Sequence, residues 1–201
     1  MLRTISGIIG LVLCFTALSA APADADHPPL MLGPGDANVN GIGGEGVIRM
    51  SKYGYVYISG QHNQHLRVTF VKHRNALRYR DTRTGKLNSI PRGCERENVK
   101  KGVSAVCRIP KKFNSQRMFV QVWPRLGNDF TDGSTLPRRF RLWVLTDAGA
   151  DIVRGGAGND FVNGAKGNDR IYGGSGRDWL RGGPGADRIV GGDGADRTSQ
   201  G

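Results

Sequence analysis

The sequence predicts an all-β protein with a strand-rich front region followed by a glycine-rich solenoid. Two distributions indicate this division. Of the 31 glycines among 201 residues, 16 lie in the last 56 residues. Residues 26–145 hold 21 Lys and Arg against 8 Asp and Glu, whereas residues 146–201 hold 7 against 8. This glycine content excludes a long amphipathic-helical protein, and the absence of a three-residue period excludes collagen.

Residues 1–25 have the pattern of a secretory signal peptide. Arg3 supplies the basic start, residues 8–18 the apolar stretch, and residues 21–25 small side chains for cleavage. An uncleaved anchor is less favoured because the apolar stretch is shorter than the ~20 residues that span a bilayer. A lipoprotein at Cys14 is disfavoured by the bulky Leu13. We therefore expect a secreted, extracellular protein with no membrane span after cleavage, whose residues 26–46 form a flexible leader.

Two cysteines, Cys94 and Cys107, remain after cleavage of the signal peptide. Paired cysteines in an exported chain usually oxidise, so we expect a disulfide between them. Two lone cysteines are too few for a zinc site.

The basic region 47–145 is predicted to be a small β domain that contains this disulfide. It could be a β-sandwich or a degenerate lead-in that caps the solenoid. Five segments are rich in β-branched and aromatic residues and are bounded by turn residues. These segments are Val47–Ser59, Leu66–Val71, Val103–Ile109, Met118–Trp123 and Phe140–Leu145.

A nine-residue repeat occupies residues 146–199. Five copies run without a slip from residue 155, and a degenerate sixth copy, 146–154, precedes them. Position four is Gly and position six is Asp in all six copies. Position eight is apolar in five copies, as Val153, Val162, Ile171, Leu180 and Ile189. The pattern predicts a six-residue turn followed by a three-residue strand whose middle side chain points inward.

The residue types in these turns suit Ca²⁺. Glycine allows the backbone to aim carbonyl oxygens inward, and Asp adds a hard anionic oxygen; Ca²⁺ takes six to eight such ligands. Gly and Asp also favour ordinary β-turns that bind no metal. Six copies in register favour the calcium interpretation over ordinary turns.

The copies resemble the glycine- and aspartate-rich nonapeptides of the RTX, or hemolysin-type, calcium-binding family. The resemblance covers residues 146–199 and implies a parallel β-roll with two nonapeptides per turn, so that copies n and n+2 stack. The implied calcium ligands form two columns, one of Asp151, Asp169 and Asp187 and the other of Asp160, Asp178 and Asp196. The implied turn residues are Gly155, Gly158, Gly164, Gly167, Gly173, Gly176, Gly182 and Gly185.

Ion sites are expected between consecutive members of a column. The pairs Asp160/Asp178 and Asp169/Asp187 are favoured, because their flanking turns keep the first glycine. Some turns depart from the family pattern, so we expect a modest affinity, of about 10⁻⁴ to 10⁻³ M. The departures are Ala165, Lys166, Arg177 and Pro184.

The outward strand positions divide by column. Phe161 and Trp179 are expected on one face, and Arg170 and Arg188 on the other. We interpret the aromatic pair as a cross-strand stack covered by the front domain, and a ligand platform is the less favoured alternative.

The favoured function is a secreted, non-enzymatic calcium-binding protein whose roll folds on meeting Ca²⁺. Neither a His-Glu-x-x-His nor a Gly-x-Ser-x-Gly motif is present. His62, His65 and His73 could bind a transition metal or act in a hydrolase, but lone surface histidines are commoner. Because only two residues follow the last copy, export is expected through the amino-terminal signal.

The alternative function is a basic extracellular module that binds anionic polymers of a cell surface. Its candidate residues are Arg67, Lys72, Arg74, Arg78 and Arg80. A solvated strand face explains the same charges. Nucleic acid is not an expected partner, because the protein is exported and carries no basic-aromatic recognition motif.

Overall fold

The computed structural model describes residues 44–60 and 62–201. The predicted signal peptide and the leader up to residue 43 lie outside these residues. The last two residues of the predicted leader, Glu45 and Gly46, begin the first strand.

The described chain is built from strands, as the sequence predicts. It contains two single-turn 3-10 helices, Lys72–Arg74 and Lys111–Phe113, and residues 44–60 and 62–201 hold no α-helix. The strands of the front region are β1 (Glu45–Met50), β2 (Gly54–Ile58), β3 (His65–Val71), β4 (Ala76–Asp81), β5 (Lys86–Ser89), β6 (Cys94–Glu97), β7 (Val103–Arg108), β8 (Met118–Trp123), β9 (Phe130–Asp132) and β10 (Phe140–Leu145). The strands of the repeats are β11 (Ile152–Arg154), β12 (Phe161–Asn163), β13 (Arg170–Ser175), β14 (Trp179–Arg181), β15 (Arg188–Asp193) and β16 (Arg197–Ser199).

These strands form two eight-stranded sheets, sheet A and sheet B. The order in sheet A is β16-β14-β12-β10-β8-β2-β1-β5, and the order in sheet B is β15-β13-β11-β9-β3-β4-β7-β6. Successive repeats therefore alternate between the sheets, and each repeat pairs in parallel with the copy two places along. This alternation is the parallel β-roll that the resemblance implies.

Both sheets run from the repeats into the front region. In sheet A, β12 pairs in parallel with β10, and β10 pairs in parallel with β8. In sheet B, β11 pairs in parallel with β9, and β9 pairs in parallel with β3. Antiparallel pairs appear only beyond this point, between β1 and β2 and among β3, β4, β7 and β6. The predicted boundary near residue 145 thus lies inside two continuous sheets.

One apolar core fills the space between the sheets along this junction. Val122, Val144, Val162 and Leu180 are successive register partners in sheet A, and all four side chains are fully buried. Exposed Thr198 ends the row, where the preceding copies have Val and Leu. The repeats therefore use the front region as their apolar cap, which a solenoid end requires.

The front region contains more strands than the sequence indicates. The segment Val47–Ser59 is a hairpin, because the hydroxyl of Ser51 accepts the N–H groups of Tyr53 and Gly54 and so closes a tight turn. β4, β5, β6 and β9 were not predicted. These strands carry many charged side chains on the outer face or are very short, so their alternation is weak.

The predicted disulfide between Cys94 and Cys107 is confirmed. The two residues are register partners on the antiparallel strands β6 and β7, and they close a loop with a sequence separation of 13. The bond ties the last strand of sheet B to its neighbour, at the end farthest from the repeats.

Replacing both cysteines, as Cys94→Ser with Cys107→Ser, is expected to lower the free energy of unfolding by about 3 kcal/mol, because the unfolded chain regains the freedom of the closed loop. Urea unfolding followed by circular dichroism measures this change. Reducing the wild-type protein should give the same loss and should leave the double variant unchanged. Equal unfolding midpoints for the oxidised wild type and the variant would contradict the prediction.

Candidate metal centre

The six position-six aspartates form two columns, one beside each sheet. Asp151, Asp169 and Asp187 each immediately precede a strand of sheet B, namely β11, β13 and β15. Asp160, Asp178 and Asp196 take the same place before β12, β14 and β16 of sheet A. Parallel pairing in register stacks the members of each column, so the structure brings together the residues that the resemblance groups.

A repeated hydrogen bond links successive members of each column. The backbone N–H of one aspartate donates to Oδ1 of the aspartate 18 residues later. The distances are 2.9 Å for Asp151 to Asp169, 3.0 Å for Asp169 to Asp187, 2.8 Å for Asp160 to Asp178 and 2.9 Å for Asp178 to Asp196. One oxygen of each receiving carboxylate is therefore fixed by the preceding rung.

The second carboxylate oxygen is sealed from solvent without a partner. Oδ2 of Asp151, Asp169, Asp178 and Asp187 is buried and accepts no hydrogen bond. The side chains of Asp151, Asp169 and Asp178 are only 1% exposed. An unsatisfied buried acceptor costs free energy, and an unsatisfied carboxylate costs more than a neutral group. These oxygens therefore lack a positively charged or hydrogen-bonding partner.

Asp160 differs from the other members of the columns. Its Oδ2 accepts the N–H of Gly156 at 2.7 Å, and its Oδ1 accepts the N–H of Leu142 at 2.7 Å. Both oxygens are occupied by backbone donors. Of the two favoured pairs, Asp169/Asp187 thus offers two unpartnered oxygens, whereas Asp160/Asp178 offers only the one on Asp178.

The turns close around these carboxylates because their glycines lack side chains. Gly167, at position four, has φ +138°, and a Cβ atom there would lie 1.7 Å from the carbonyl oxygen of Gly149 in the rung before. Ala165 at position two adopts φ 62°, a left-handed conformation, whereas the glycines at this position in later copies have φ near 100°. The departure at Ala165 is therefore accommodated by a local change of backbone conformation.

Burial and mutual repulsion raise the pKa values of the column carboxyls. Burial is the main cause for Asp169 and Asp178, whose pKa values rise to about 6, and a neighbouring column carboxylate adds to each shift. The pKa of Asp151 is also raised, and that of Asp160 is raised well above its ordinary value, in both cases chiefly by burial. The array thus needs protons or cations to reach neutrality.

The donor set fits a calcium ion. Each rung offers one carboxylate beside a turn of glycine carbonyls, which are the hard oxygen ligands that Ca²⁺ prefers. No three His, Cys, Asp or Glu side chains come together as a metal cluster in residues 44–60 and 62–201. The donors present are oxygens, so a soft transition metal, which prefers imidazole or thiolate, is poorly matched. Asp151, Asp169, Asp178 and Asp187 are the residues that would hold calcium.

The family comparison agrees with this donor set. The model of the RTX calcium-binding nonapeptide repeat, which comprises four copies, matches residues 145–180 and residues 163–198. Residues 145–198 therefore match the RTX calcium-binding nonapeptide repeat, and the rest of the chain lies outside the match. No curated protein and no solved structure matched the chain. The match begins before the degenerate copy 146–154, and it supports Ca²⁺ as the ion of these repeats.

The aromatic residues of the RTX repeats continue a stack that begins in the front region. The ring of Phe161 lies 4.3 Å from Trp143 and 5.4 Å from Trp179, between ring centroids. Trp143 is buried, whereas Trp179 is 39% exposed, so the front region covers only the near end of the stack. Arg170 and Arg188 are register partners on sheet B, the opposite face, as predicted from the sequence.

Most of the basic candidate residues have partners inside the protein. Arg67 pairs with Asp132, Arg74 with Glu95, and Arg78 with Glu97 through two hydrogen bonds. Arg80 donates to the carbonyl of Lys101. Lys72 lies in the first 3-10 helix.

The three candidate histidines occupy different environments. His62 lies beside the hydroxyl of Thr84, His65 packs edge-on against Phe130, and His73 lies in the first 3-10 helix. The structure therefore gives them separate surroundings, and they do not join a metal cluster in the described part of the chain.

Asp129, which was not predicted as a site residue, stands one rung before Asp151 in the sheet B column. The N–H of Asp129 donates to Oδ1 of Asp151 at 2.8 Å, as in every later rung. The signal was a Gly-Asn-Asp sequence at residues 127–129, which matches residues 158–160 and 167–169. This Gly-Asn-Asp sequence does not fit the nine-residue period, because 22 residues instead of 18 separate Asp129 from Asp151.

Gly167→Ala is expected to destabilise the roll by more than about 1 kcal/mol, because the new Cβ collides with a backbone carbonyl at a positive φ. Thermal unfolding in Ca²⁺ measures the loss. Gly85→Ala is the matched control, since a Cβ there meets its nearest atom at 3.7 Å. Equal unfolding temperatures for the two variants would count against the close packing of the turns.

The raised pKa values predict opposite effects of pH with and without calcium. Without Ca²⁺, the folded protein favours protonated Asp169 and Asp178, so its stability should fall as pH rises from about 4 through about 6. Protons compete with Ca²⁺, so calcium affinity should fall as pH drops below about 6. Thermal unfolding in calcium-free buffer and calorimetric titration across this range measure both. In the double variant Asp169→Asn with Asp178→Asn, stability and calcium affinity should both depend less on pH. A wild type whose stability and calcium affinity do not change with pH would contradict the raised pKa values.

Proposed function

We propose that this chain is an extracellular, non-enzymatic calcium-binding protein whose RTX repeats become ordered on binding Ca²⁺. The observation that carries the proposal is the series of buried Oδ2 oxygens without partners, on Asp151, Asp169, Asp178 and Asp187. A cation held between rungs supplies the missing partner. Extracellular calcium suits modules of modest affinity, and RTX repeats are typical of extracellular proteins.

The coupling of binding to folding follows from like charge. Adjacent strands lie about 4.8 Å apart, so stacked carboxylates repel one another unless protons or cations lie between them. Calcium binding then contributes directly to the folding free energy of the roll. Most residues of the shared apolar core, and the disulfide, lie in the front region, so this region is expected to stay folded without calcium and to serve as a fixed cap.

Binding of anionic surface polymers has weaker support. Three of its candidate guanidinium groups, those of Arg67, Arg74 and Arg78, already contact carboxylates of the same chain. A polymer would have to compete with these ion pairs. The positive charge of the front region favours attraction to polyanions in general, without a formed site.

A calcium titration tests the proposal. Ca²⁺ should increase the β signal in circular dichroism and raise the unfolding temperature, with a midpoint near 10⁻⁴ to 10⁻³ M. Asp169→Asn and Asp178→Asn should each shift the midpoint to higher Ca²⁺. Asp193→Asn is the matched control, because Asp193 is an exposed aspartate of the repeats outside both columns. Mg²⁺ should substitute poorly, because it demands a tighter octahedral shell.

The absence of any spectral or thermal change by about 10 mM Ca²⁺, well above the module range, would refute the proposal. An effect of Asp193→Asn as large as that of Asp169→Asn would show that the columns are not the binding sites.

A further inference from the structure

A half-turn of the roll lies outside the segment that matches the RTX repeat model. Gly127, Asn128 and Asp129 precede strand β9, whereas the match begins at residue 145. Strand β9 pairs in parallel with β11, the first strand of the repeats, and places Thr131 opposite the core residue Val153. Residues 127–132 therefore form the rung of sheet B that comes directly before the repeats.

The contacts of this rung reproduce those of the repeats one by one. Asn128 Oδ1 accepts the N–H of Ala150 at 2.8 Å, as Asn168 Oδ1 accepts that of Ala186 at 2.9 Å. A Cβ on Gly149 would lie 1.8 Å from the carbonyl oxygen of Gly127. The same close approach, at 1.7 Å, joins Gly167 to the carbonyl of Gly149. The turn geometry of the repeats thus continues unchanged into the front region.

The spacing explains why this rung falls outside the nine-residue period of the repeats. Between β9 and the first repeat the chain makes a longer connection, residues 133–139, and then enters β10. In β10 the position equivalent to the aspartate is Leu142, whose N–H donates to Asp160 Oδ1. The rung therefore has a carboxylate on the sheet B side only, and any site it forms lies in that column.

The carboxylates of this rung and the next are buried and unpartnered. Asp129 is 3% exposed and Asp151 is 1% exposed. Oδ2 of each accepts no hydrogen bond, while Oδ1 of each accepts a backbone N–H, from Gln64 and from Asp129 respectively. This pair therefore offers two sealed anionic oxygens, as Asp169/Asp187 does.

The column ends at the rung before Asp129. There Gln64 stands in the equivalent place. Its backbone N–H donates to Asp129 Oδ1 at 2.6 Å, and its side-chain amide group donates to the hydroxyl of Thr131. The amide oxygen of Gln64 is also buried without a partner. Asp81, the other buried carboxylate nearby, is fully used, because it accepts from Tyr57, Thr84 and the N–H of His65. The unpartnered oxygens thus belong to Gln64, Asp129 and Asp151.

We propose that Asp129 and Asp151 hold an additional Ca²⁺ ion, between the half-turns 127–129 and 149–151, outside the recognised repeats. The proposal rests on the proposed function, since it extends the same type of site by one rung. The ion would join β9, which is hydrogen-bonded to the front-region strand β3, to β11 of the repeats. It would thereby fasten the roll to its cap.

The pKa of Asp129 supports the need for a cation. Burial raises it to about 7, with further increases from the carboxylates of Asp151 and Asp81. A divalent cation between the two carboxylates would offset this repulsion.

The test counts calcium ions in the full mature chain. Calorimetric titration of the wild type is compared with Asp129→Asn, which keeps the shape and an oxygen acceptor for Gln64 but removes the charge. The variant should bind one Ca²⁺ fewer than the wild type. It should unfold at the same or a higher temperature in calcium-free buffer at about pH 7, because a buried charge has been removed. Crystals grown in Ca²⁺ should show an anomalous peak between Asp129 and Asp151.

Asp132→Asn is the matched control. Asp132 lies three residues later on the same half-turn, but it pairs with Arg67 on the outer face. Its replacement should leave the calcium count unchanged. An unchanged count in Asp129→Asn, or an ion-free gap between Asp129 and Asp151 in crystals with occupied repeats, would overturn this inference while leaving the proposed function intact. A wild type that binds no calcium would overturn the proposed function itself.

Discussion

The roll depends on the different environments of the two carboxylate oxygens of each column aspartate. Oδ1 is held by the N–H of the rung before, and this bond locks every carboxylate inside a turn too tight for any side chain at the stacking glycine. Oδ2 is left sealed in the same turn without a donor. The arrangement that orders the backbone therefore also accumulates buried negative charge. Protons or cations that neutralise the columns are therefore expected to stabilise the fold.

The front region supplies what the repeats cannot provide for themselves. A stack of short parallel strands has an apolar end that must be covered, and here β10 and β9 cover it by continuing both sheets in the same register. The antiparallel strands and the disulfide lie beyond this parallel zone. The cap is thus stabilised by apolar contacts and a covalent bond that do not depend on a cation. Order in the roll can then propagate outward from a fixed first rung.

Much of the roll could be predicted from the sequence, because a strict period repeats each local signal six times. Asp169 and Val162 could be assigned to a turn and to the core from that period alone. The front region lacked such repetition. The turn at Ser51 combines a backbone hydrogen bond to Gly54 with bonds to the Ser51 hydroxyl, and the buried residues of β4 alternate with arginines. Asp129 was not predicted because a repeat can be recognised from spacing only when its connecting loops have one length. Parallel strands can pair across a longer loop, which breaks the nine-residue period.

The ion pairs formed by the candidate anion-binding arginines could not be predicted from the sequence for a related reason. Arg78 and Glu97 are 19 residues apart and meet only because β4 and β6 both flank β7. Charge counting identified an excess of cations, but it could not identify which of them the fold would use internally.

The two columns should respond unequally to calcium. On the sheet A side, Leu142 closes the column with a backbone donor, and Gly156 satisfies the remaining oxygen of Asp160. That rung needs no cation to balance its hydrogen bonds. On the sheet B side, Asp129, Asp151, Asp169 and Asp187 follow one another, each with an unpartnered Oδ2. Four of the five unpartnered Oδ2 atoms in the described residues therefore lie along sheet B, and we expect calcium to stabilise that side of the roll more.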